Sequence, residues 1–215
     1  MFRAIALVPL LLVGACATYV SDHEQRLVRS LPNQRDVSIS DQQTYPGQVL
    51  CGRYTALTGN GFFQHTRNFV VTPERVLENP KEEETWVYCT RNSAAALYER
   101  TGIGAPDGDW EALRKVSSDL SAIDNAILAY YNHTYALPQN LEQLLTGPTP
   151  LDEATLVDPW GRSYEYRGGL TGRTVPRFEL YTLGADGEAG GQGPAADVTR
   201  STLPLLQHVL KLEAP

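Results

Sequence analysis

The sequence predicts an α+β fold: a long amphipathic helix packs on a small antiparallel sheet, and a small β-rich unit closed by a disulfide precedes them. Three observations support this. Apolar residues recur at helical spacing from Leu113 to Tyr130. Short runs rich in Val, Tyr and Phe, separated by turn residues, occupy 48–89 and recur after residue 158. Cys51 and Cys89 bracket the first of these regions.

The first 15 residues have the organisation of a secretory signal. Arg3 is followed by an apolar run that ends in small residues before Cys16, and the run is too short to span a bilayer. The ending Val-Gly-Ala-Cys resembles a bacterial lipobox, in which the cysteine is lipidated and the peptide before it is removed. The resemblance implies a lipoprotein anchored through palmitate and related acyl chains at Cys16, on the periplasmic side of the outer membrane. The alternative is an ordinary secreted protein with an incidental cysteine.

The charge balance argues against nucleic-acid partners. The chain has 18 Lys+Arg and 25 Asp+Glu. Removal of residues 1–15 takes away only Arg3, which leaves 17 minus 25, or −8. An acidic chain without a basic patch is poorly suited to bind phosphate backbones.

Two cysteines remain once Cys16 is assigned to lipid. In an oxidising compartment Cys51 and Cys89 most simply form one disulfide, and free buried thiols are the alternative. No cysteine or histidine set has zinc-site spacing.

The segment 16–45 is polar and lacks apolar periodicity, which predicts a tether with one or two helical turns. Residues 46–104 form the predicted β-rich unit, with strand-like runs VLCGRYTAL, NFVVTPERVL and TWVYC and a short helix ending at Gly102 or Gly104. The charged run 81–84 is interpreted as a solvated turn. The unit is similar to a small module of bacterial envelope proteins, a resemblance that implies no activity.

The region after residue 106 opens with the strongest helix. Asp109 is a suitable N-cap for it. A second short helix follows Asn140. A turn capped by Asp158 and leading into a strand is predicted in 158–169, and a further strand in 176–184. The tail 201–215 carries a helical stripe of leucines, which either packs on its own domain or binds a partner.

These elements carry two motifs, DPWGRSYEY and YTLGADGEAGGQGPAADV, in that order. Together with the preceding helix they resemble the C-terminal globular domain of the type II secretion major pseudopilin, protein G, over about residues 106–200. The resemblance implies a loop that binds one calcium ion.

The composition of the loop suits calcium, which takes six to eight oxygen ligands from carboxylates, carbonyls and water. Its glycines allow carbonyl oxygens to turn inward. The family pattern implies the carbonyl of Leu183, the carboxylates of Asp186 and Asp197, and the carbonyl of Gly191 as ligands. Glu188 is expected to face solvent. The alternative is a mobile glycine-rich loop with solvated acids.

The chain also departs from the family. No prepilin leader or long apolar filament helix is recognised, so we expect that it does not itself polymerise. Nor do the sequences typical of hydrolases, zinc proteases or phosphate-binding loops occur. The histidines at 23, 65, 133 and 208 are far apart in sequence and are expected to be packing or surface residues.

The sequence therefore predicts a non-catalytic envelope lipoprotein. Its calcium-stabilised head would bind proteins, including components of type II secretion, and no small-molecule substrate. Two alternatives stay open: an envelope enzyme or enzyme accessory with an unrecognised site, and a structural envelope protein unrelated to secretion.

Overall fold

The computed structural model describes residues 14–31, 34–58, 63–104, 110–170 and 177–213. The chain divides into two compact units, Met1–Arg91 and Asn92–Pro215. The helices are α1 Gly14–Ser30, α2 Glu82–Tyr88, α3 Ser93–Thr101, α4 Trp110–Thr134 and α5 Leu203–Leu212. The strands are β1 Gln34–Tyr45, β2 Val49–Thr58, β3 Phe63–Val71, β4 Val76–Leu77, β5 Glu165–Leu170, β6 Arg177–Thr182 and β7 Val198–Thr199. Within the described ranges, no helix has the length and apolar character needed to cross a membrane.

The first unit is an antiparallel sheet in the order β1-β2-β3-β4 with α1 packed on one face. Period-2 alternation places apolar side chains of β2 and β3 on that face. The core comprises Leu27, Leu31, Leu50, Tyr54, Ala56, Phe69 and Val71. The Arg26 guanidinium on α1 donates a 2.7 Å hydrogen bond to the Thr72 carbonyl at the end of β3. Gln42 of β1 also donates to the Glu24 carboxylate of α1 at 2.6 Å, so helix α1 is held by apolar burial and by polar contacts to other elements.

The predicted tether is wrong. Segment 16–45 contains most of α1 and all of β1 rather than a polar linker. Apolar residues are too few in this segment to show a period. Helix α1 buries Leu27 on one side, and Val37 and Ile39 of β1 pack at the margin of the core. The other positions of β1 are polar because β1 is an edge strand with one solvated face.

The predicted disulfide is present, and Cys51 and Cys89 are bonded. The strand predicted for 85–89 is wrong, because this stretch belongs to α2 and its C-cap. The charged run is the first turn of that helix rather than a solvated turn. The Lys81 N–H donates to the Glu84 carboxylate at 2.8 Å. Three glutamates in the first turn also stabilise the helix, because their negative charge interacts favourably with the positive end of the helix dipole.

The second unit confirms the predicted α+β layout. Helix α4 buries the predicted stripe at Leu113, Val116, Leu120, Ile123 and Ile127. It packs against α5 and against β6 of a three-stranded antiparallel sheet, β5-β6-β7. Burial alternates along β6, so one face of this sheet lies against the core.

Local signals placed the shorter elements correctly. Helix α3 ends at Gly102, which has φ +74° and donates its N–H to the Tyr98 carbonyl at 2.8 Å. Asn140 caps the short 3-10 helix Leu141–Leu145 by accepting the Gln143 N–H. The predicted N-cap of α4, Asp109, lies outside the described residues.

The unit boundary differs from the predicted one. Helix α3 belongs to the second unit, because the Gly102 carbonyl after it accepts the Gly193 N–H at 2.8 Å. The tail also packs on its own domain. The Arg114 guanidinium donates to the Leu210 carbonyl, and Gln207 of α5 donates to the Ser121 hydroxyl of α4 at 2.8 Å.

Candidate metal centre

The glycine-rich loop spans residues 183–197 between β6 and β7. Its ends are fixed because Thr182 pairs with Val198 across the two strands. Within the loop the Ala185 N–H donates to the Pro194 carbonyl at 2.8 Å, and the Asp197 N–H donates to the Gly190 carbonyl at 3.1 Å. Backbone hydrogen bonds therefore fold the loop back on itself.

Two glycines are required by this path. Gly184 and Gly191 have φ of +68° and +78°, in the left-handed region that side chains resist. A Cβ at Gly184 would lie 2.7 Å from the Ala195 carbonyl carbon, and one at Gly191 would meet the Ala195 carbonyl oxygen. The backbone at Ala195 therefore lies too close to Gly184 and Gly191 for either position to hold a residue with a side chain.

Asp197 is the most distinctive of the predicted ligands. Its Oδ2 accepts the Gly190 N–H at 3.0 Å, which fixes the carboxylate inside the loop. Its Oδ1 is buried and has no hydrogen-bond partner in the structure. A buried carboxylate oxygen without a donor is costly unless a cation or water satisfies it.

The structure brings Leu183 and Asp197 to the same cleft, which has a volume of about 480 Å³ and is also lined by residues of β6 and β7. Asp186 lies in an exposed turn, where its Oδ1 accepts the Glu188 N–H at 3.0 Å. Glu188 is exposed, as expected. The Gly191 carbonyl oxygen faces the segment after α3, 2.9 Å from where a Cβ on Gly102 would lie.

A second set of residues holds the loop, and the sequence did not single out its key member, Arg162. The Arg162 guanidinium donates to the carbonyls of Gly184 at 3.2 Å and Ala185 at 2.9 Å. Asp158 holds the turn that carries Arg162, since its Oδ1 accepts the N–H groups of Trp160 and Arg162. This confirms Asp158 as a turn cap. The only sequence signal for Arg162 was its place inside the DPWGRSYEY motif.

A partly buried polar cluster links α4 to Tyr164, the residue that precedes β5. The Tyr164 hydroxyl donates to Asp119 Oδ2 at 3.0 Å, and Lys115 Nζ lies 2.5 Å from the same oxygen. Burial, followed by the nearby Asp119 carboxylate, raises the pKa of Tyr164 well above its usual value. Asp119 therefore has both a neutral donor and a cation, which offsets the cost of its burial.

No group of three His, Cys, Asp or Glu side chains that could hold a metal occurs within the part of the chain that the structure describes. A cation in the loop would therefore depend on backbone carbonyls together with Asp186 and Asp197. Such an all-oxygen donor set suits a hard cation such as Ca²⁺ and disfavours zinc.

The remaining predicted positions belong to other elements of the chain. Cys16 falls in α1, and its side chain is outside the described residues, as are residues 1–13 of the predicted signal segment. His23 and His208 are buried, and the His65 ring lies edge-on to Tyr54 in the first unit.

The comparisons with known proteins agree with the geometry of the second unit. The family model for type II secretion system protein G matches residues 109–201. The type II secretion system core protein G of Vibrio cholerae is 33% identical over 98 residues, covering 40% of this chain and 65% of that protein. The corresponding protein of Pseudomonas aeruginosa is 36% identical over 118 residues, covering 48% of this chain and 80% of that protein. By its helix α4, the DPWG turn and the glycine-rich loop, the chain belongs to the type II secretion system protein G family.

Proposed function

We propose that the protein is a non-catalytic lipoprotein of the cell envelope whose pseudopilin-like domain, stabilised by calcium, binds protein partners in type II secretion. Membership of the protein G family supports the link to secretion. The observation that carries the calcium part is the buried Oδ1 of Asp197, which has no donor.

The residues of the loop fit a calcium ion. Asp186 and Asp197 supply negative charge, and the carbonyl oxygens of Leu183 and Gly191 supply neutral ligands. A bound calcium ion would supply the positive charge that offsets the two carboxylates. The Gly190 N–H already orients the Asp197 carboxylate, so less side-chain freedom is lost on binding.

A thermal-melting experiment on the full chain tests the calcium proposal. Calcium at about a hundredfold excess over its dissociation constant should stabilise the wild type by about 2.7 kcal/mol relative to the chelated protein. Magnesium should have a smaller effect because it requires a tighter octahedral site. Asp197→Asn and Asp186→Asn should abolish the calcium effect, whereas the exposed Glu188→Gln should retain it. Equal melting temperatures with calcium and with chelator would show that the loop is not a calcium site.

Fractionation tests the anchor. We propose that acyl chains on Cys16 hold the protein at the periplasmic face of the outer membrane. Cys16→Ser should move the protein to the soluble fraction or leave the precursor unprocessed. A Cys16→Ser protein that is still processed and sediments with the outer membrane would contradict the lipoprotein assignment.

Gene deletion tests the role in secretion. Loss of the protein should lower the extracellular fraction of type II substrates, and the wild-type gene should restore it. Unchanged secretion would contradict the proposed role while leaving the calcium measurement unaffected.

A further inference from the structure

The second unit contains a second cleft, whose lining includes no residue of the glycine-rich loop. It has a volume of about 350 Å³ and lies among α3, the first residue of α4 and the residue that follows α5. The small side chains of Ala94 and Ala95 leave it open on the α3 side. The family match begins at residue 109, so all of α3 lies outside the matched region.

Two aromatic rings line the cleft, Tyr98 from α3 and Trp110 from α4. The Trp110 ring lies against Gly104, where an added Cβ would be 3.0 Å from Trp110 Cη2. The Tyr98 hydroxyl donates to the Gln192 side chain at 3.4 Å. Both rings are partly buried, so their positions are restrained by contacts on the protein side.

Two carboxylates line the same cleft, Glu99 and Glu213. Both are exposed, and neither side chain has an ion pair or hydrogen bond anywhere in the described ranges. The nearby Arg114 guanidinium donates to the main-chain carbonyls of Leu210 and Glu213 rather than to either carboxylate. The cleft therefore places two exposed carboxylates, which form no ion pair within the described ranges, beside two aromatic rings.

We propose that this cleft binds an organic cation, the ammonium or guanidinium group of a lysine, an arginine or a polyamine. Such groups are attracted to the faces of Trp and Tyr within about 6 Å, and carboxylates add charge-assisted hydrogen bonds. The volume is near the lower end for small-molecule pockets, about 300 Å³, and suits one side chain rather than a large ligand. The net charge of −7 adds long-range attraction for cations.

Titration of the full chain with Nα-acetyl-arginine amide tests the proposal, with the Trp110 indole N–H followed by NMR. We expect saturable binding with a dissociation constant of about 1 mM or tighter. Nα-acetyl-citrulline amide, which has the same shape without the charge, should not bind. Raising the salt concentration should weaken binding because the two carboxylates are exposed.

Variants locate the site. The double variant Glu99→Gln and Glu213→Gln should weaken arginine amide binding at least about tenfold. Both positions are exposed, so this variant should keep its fold, which the melting temperature checks. Glu165→Gln, an exposed glutamate of β5, is the matched control and should bind as the wild type does. Equal binding of the citrulline and arginine amides, or full binding by the double variant, would overturn the proposal.

Two further probes distinguish the source of the cation. Tighter binding of the tripeptide amide acetyl-Gly-Arg-Gly than of spermidine would support a basic side chain of a partner protein. Tighter binding of spermidine would support a free polyamine. Absence of binding by all three cationic probes would overturn the proposal.

Discussion

The Thr182 hydroxyl donates a 2.7 Å hydrogen bond to Asp158 Oδ2, and both side chains are buried. This bond joins the DPWG turn to the last residue of β6, where the glycine-rich loop begins. The other oxygen of Asp158 accepts the N–H groups of Trp160 and Arg162. One carboxylate therefore holds both the turn and the start of the loop.

Asp158→Ala should lower the free energy of unfolding of the second unit by about 3 kcal/mol, because the buried Thr182 hydroxyl and two partly buried N–H groups lose their acceptor. Thr182→Val should lower the free energy of unfolding by about 2 kcal/mol, since it removes the bond to Asp158 and the one that the Thr182 hydroxyl accepts from the Gly184 N–H at 3.3 Å. Urea unfolding measures both. Asp152→Ala is the control: Asp152 is exposed and makes no side-chain cap hydrogen bond, so its loss should change stability by less than about 0.5 kcal/mol. An Asp158→Ala protein as stable as the control would contradict this role.

Gly184→Ala should destabilise the loop far more than Gly190→Ala. Both glycines have positive φ, but a Cβ at Gly184 would meet backbone atoms of Ala195 and Ala196, whereas nothing lies within 4 Å at Gly190. We expect Gly190→Ala to lower the free energy of unfolding by about 1 kcal/mol, from backbone strain alone. Gly184→Ala should lower it by at least about 2 kcal/mol more, because the added Cβ also clashes with the backbone. Gly184→Ala should also remove the response to calcium. Equal melting temperatures for the two variants would show that the close approach at Gly184 does not limit stability.

Alkaline pH should destabilise the second unit through Tyr164. Burial raises its pKa above the ordinary value of 10.0, so the folded state keeps a proton that the unfolded chain releases. This contribution is fully present below about pH 10 and is lost as the pH rises toward the folded pKa. Burial also raises the pKa of Tyr166, to about 12, and acts in the same direction.

Tyr164→Phe provides the comparison. This variant should lower the free energy of unfolding by about 1 kcal/mol at pH 8, where Asp119 keeps its contact with Lys115. Between about pH 9.5 and 11 it should lose less stability than the wild type does. Urea midpoints at these pH values measure the effect. The same alkaline loss in the variant and the wild type would rule out Tyr164 as its source.

Removal of the disulfide should act on the first unit. The bond joins residues 38 positions apart, which on the chain-entropy estimate stabilises the folded state by about 4 kcal/mol. Replacing Cys51 and Cys89 with serine should lower the free energy of unfolding of the first unit by that amount, and its unfolding midpoint accordingly. The NMR signal of the Trp160 indole, in the second unit, should persist under these conditions. An unchanged midpoint for the first unit would contradict the prediction.

Several elements could be predicted because their signals are local. The stripe from Leu113 to Ile127 lies on one side of a helix by its spacing alone. Gly102 and Asn140 mark helix ends through backbone and capping preferences that need no distant partner. The cysteine pair followed from the count, once Cys16 was assigned to lipid.

Other elements were predicted wrongly because their patterns are weak or misleading. Helix α2 has seven residues, too few for a helical period to be recognised, and Thr85, Val87 and Tyr88 are typical of strands. In α1 the core residue is Leu27, and in β1 only Val37 and Ile39 pack against the core, so the apolar positions are too few to reveal a period.

The sequence by itself determined the class of the fold, the family and the composition of the glycine-rich loop, because repeating patterns and motif spacing are properties of neighbouring residues. Only the tertiary structure decided what holds that loop. Arg162 contacts carbonyls 22 and 23 positions away, and Gly193 bonds to Gly102. Tertiary structure also left Asp197 Oδ1 buried without a donor. Such contacts depend on how helices and strands pack, since a hydrogen bond between distant residues leaves no periodic trace in the chain.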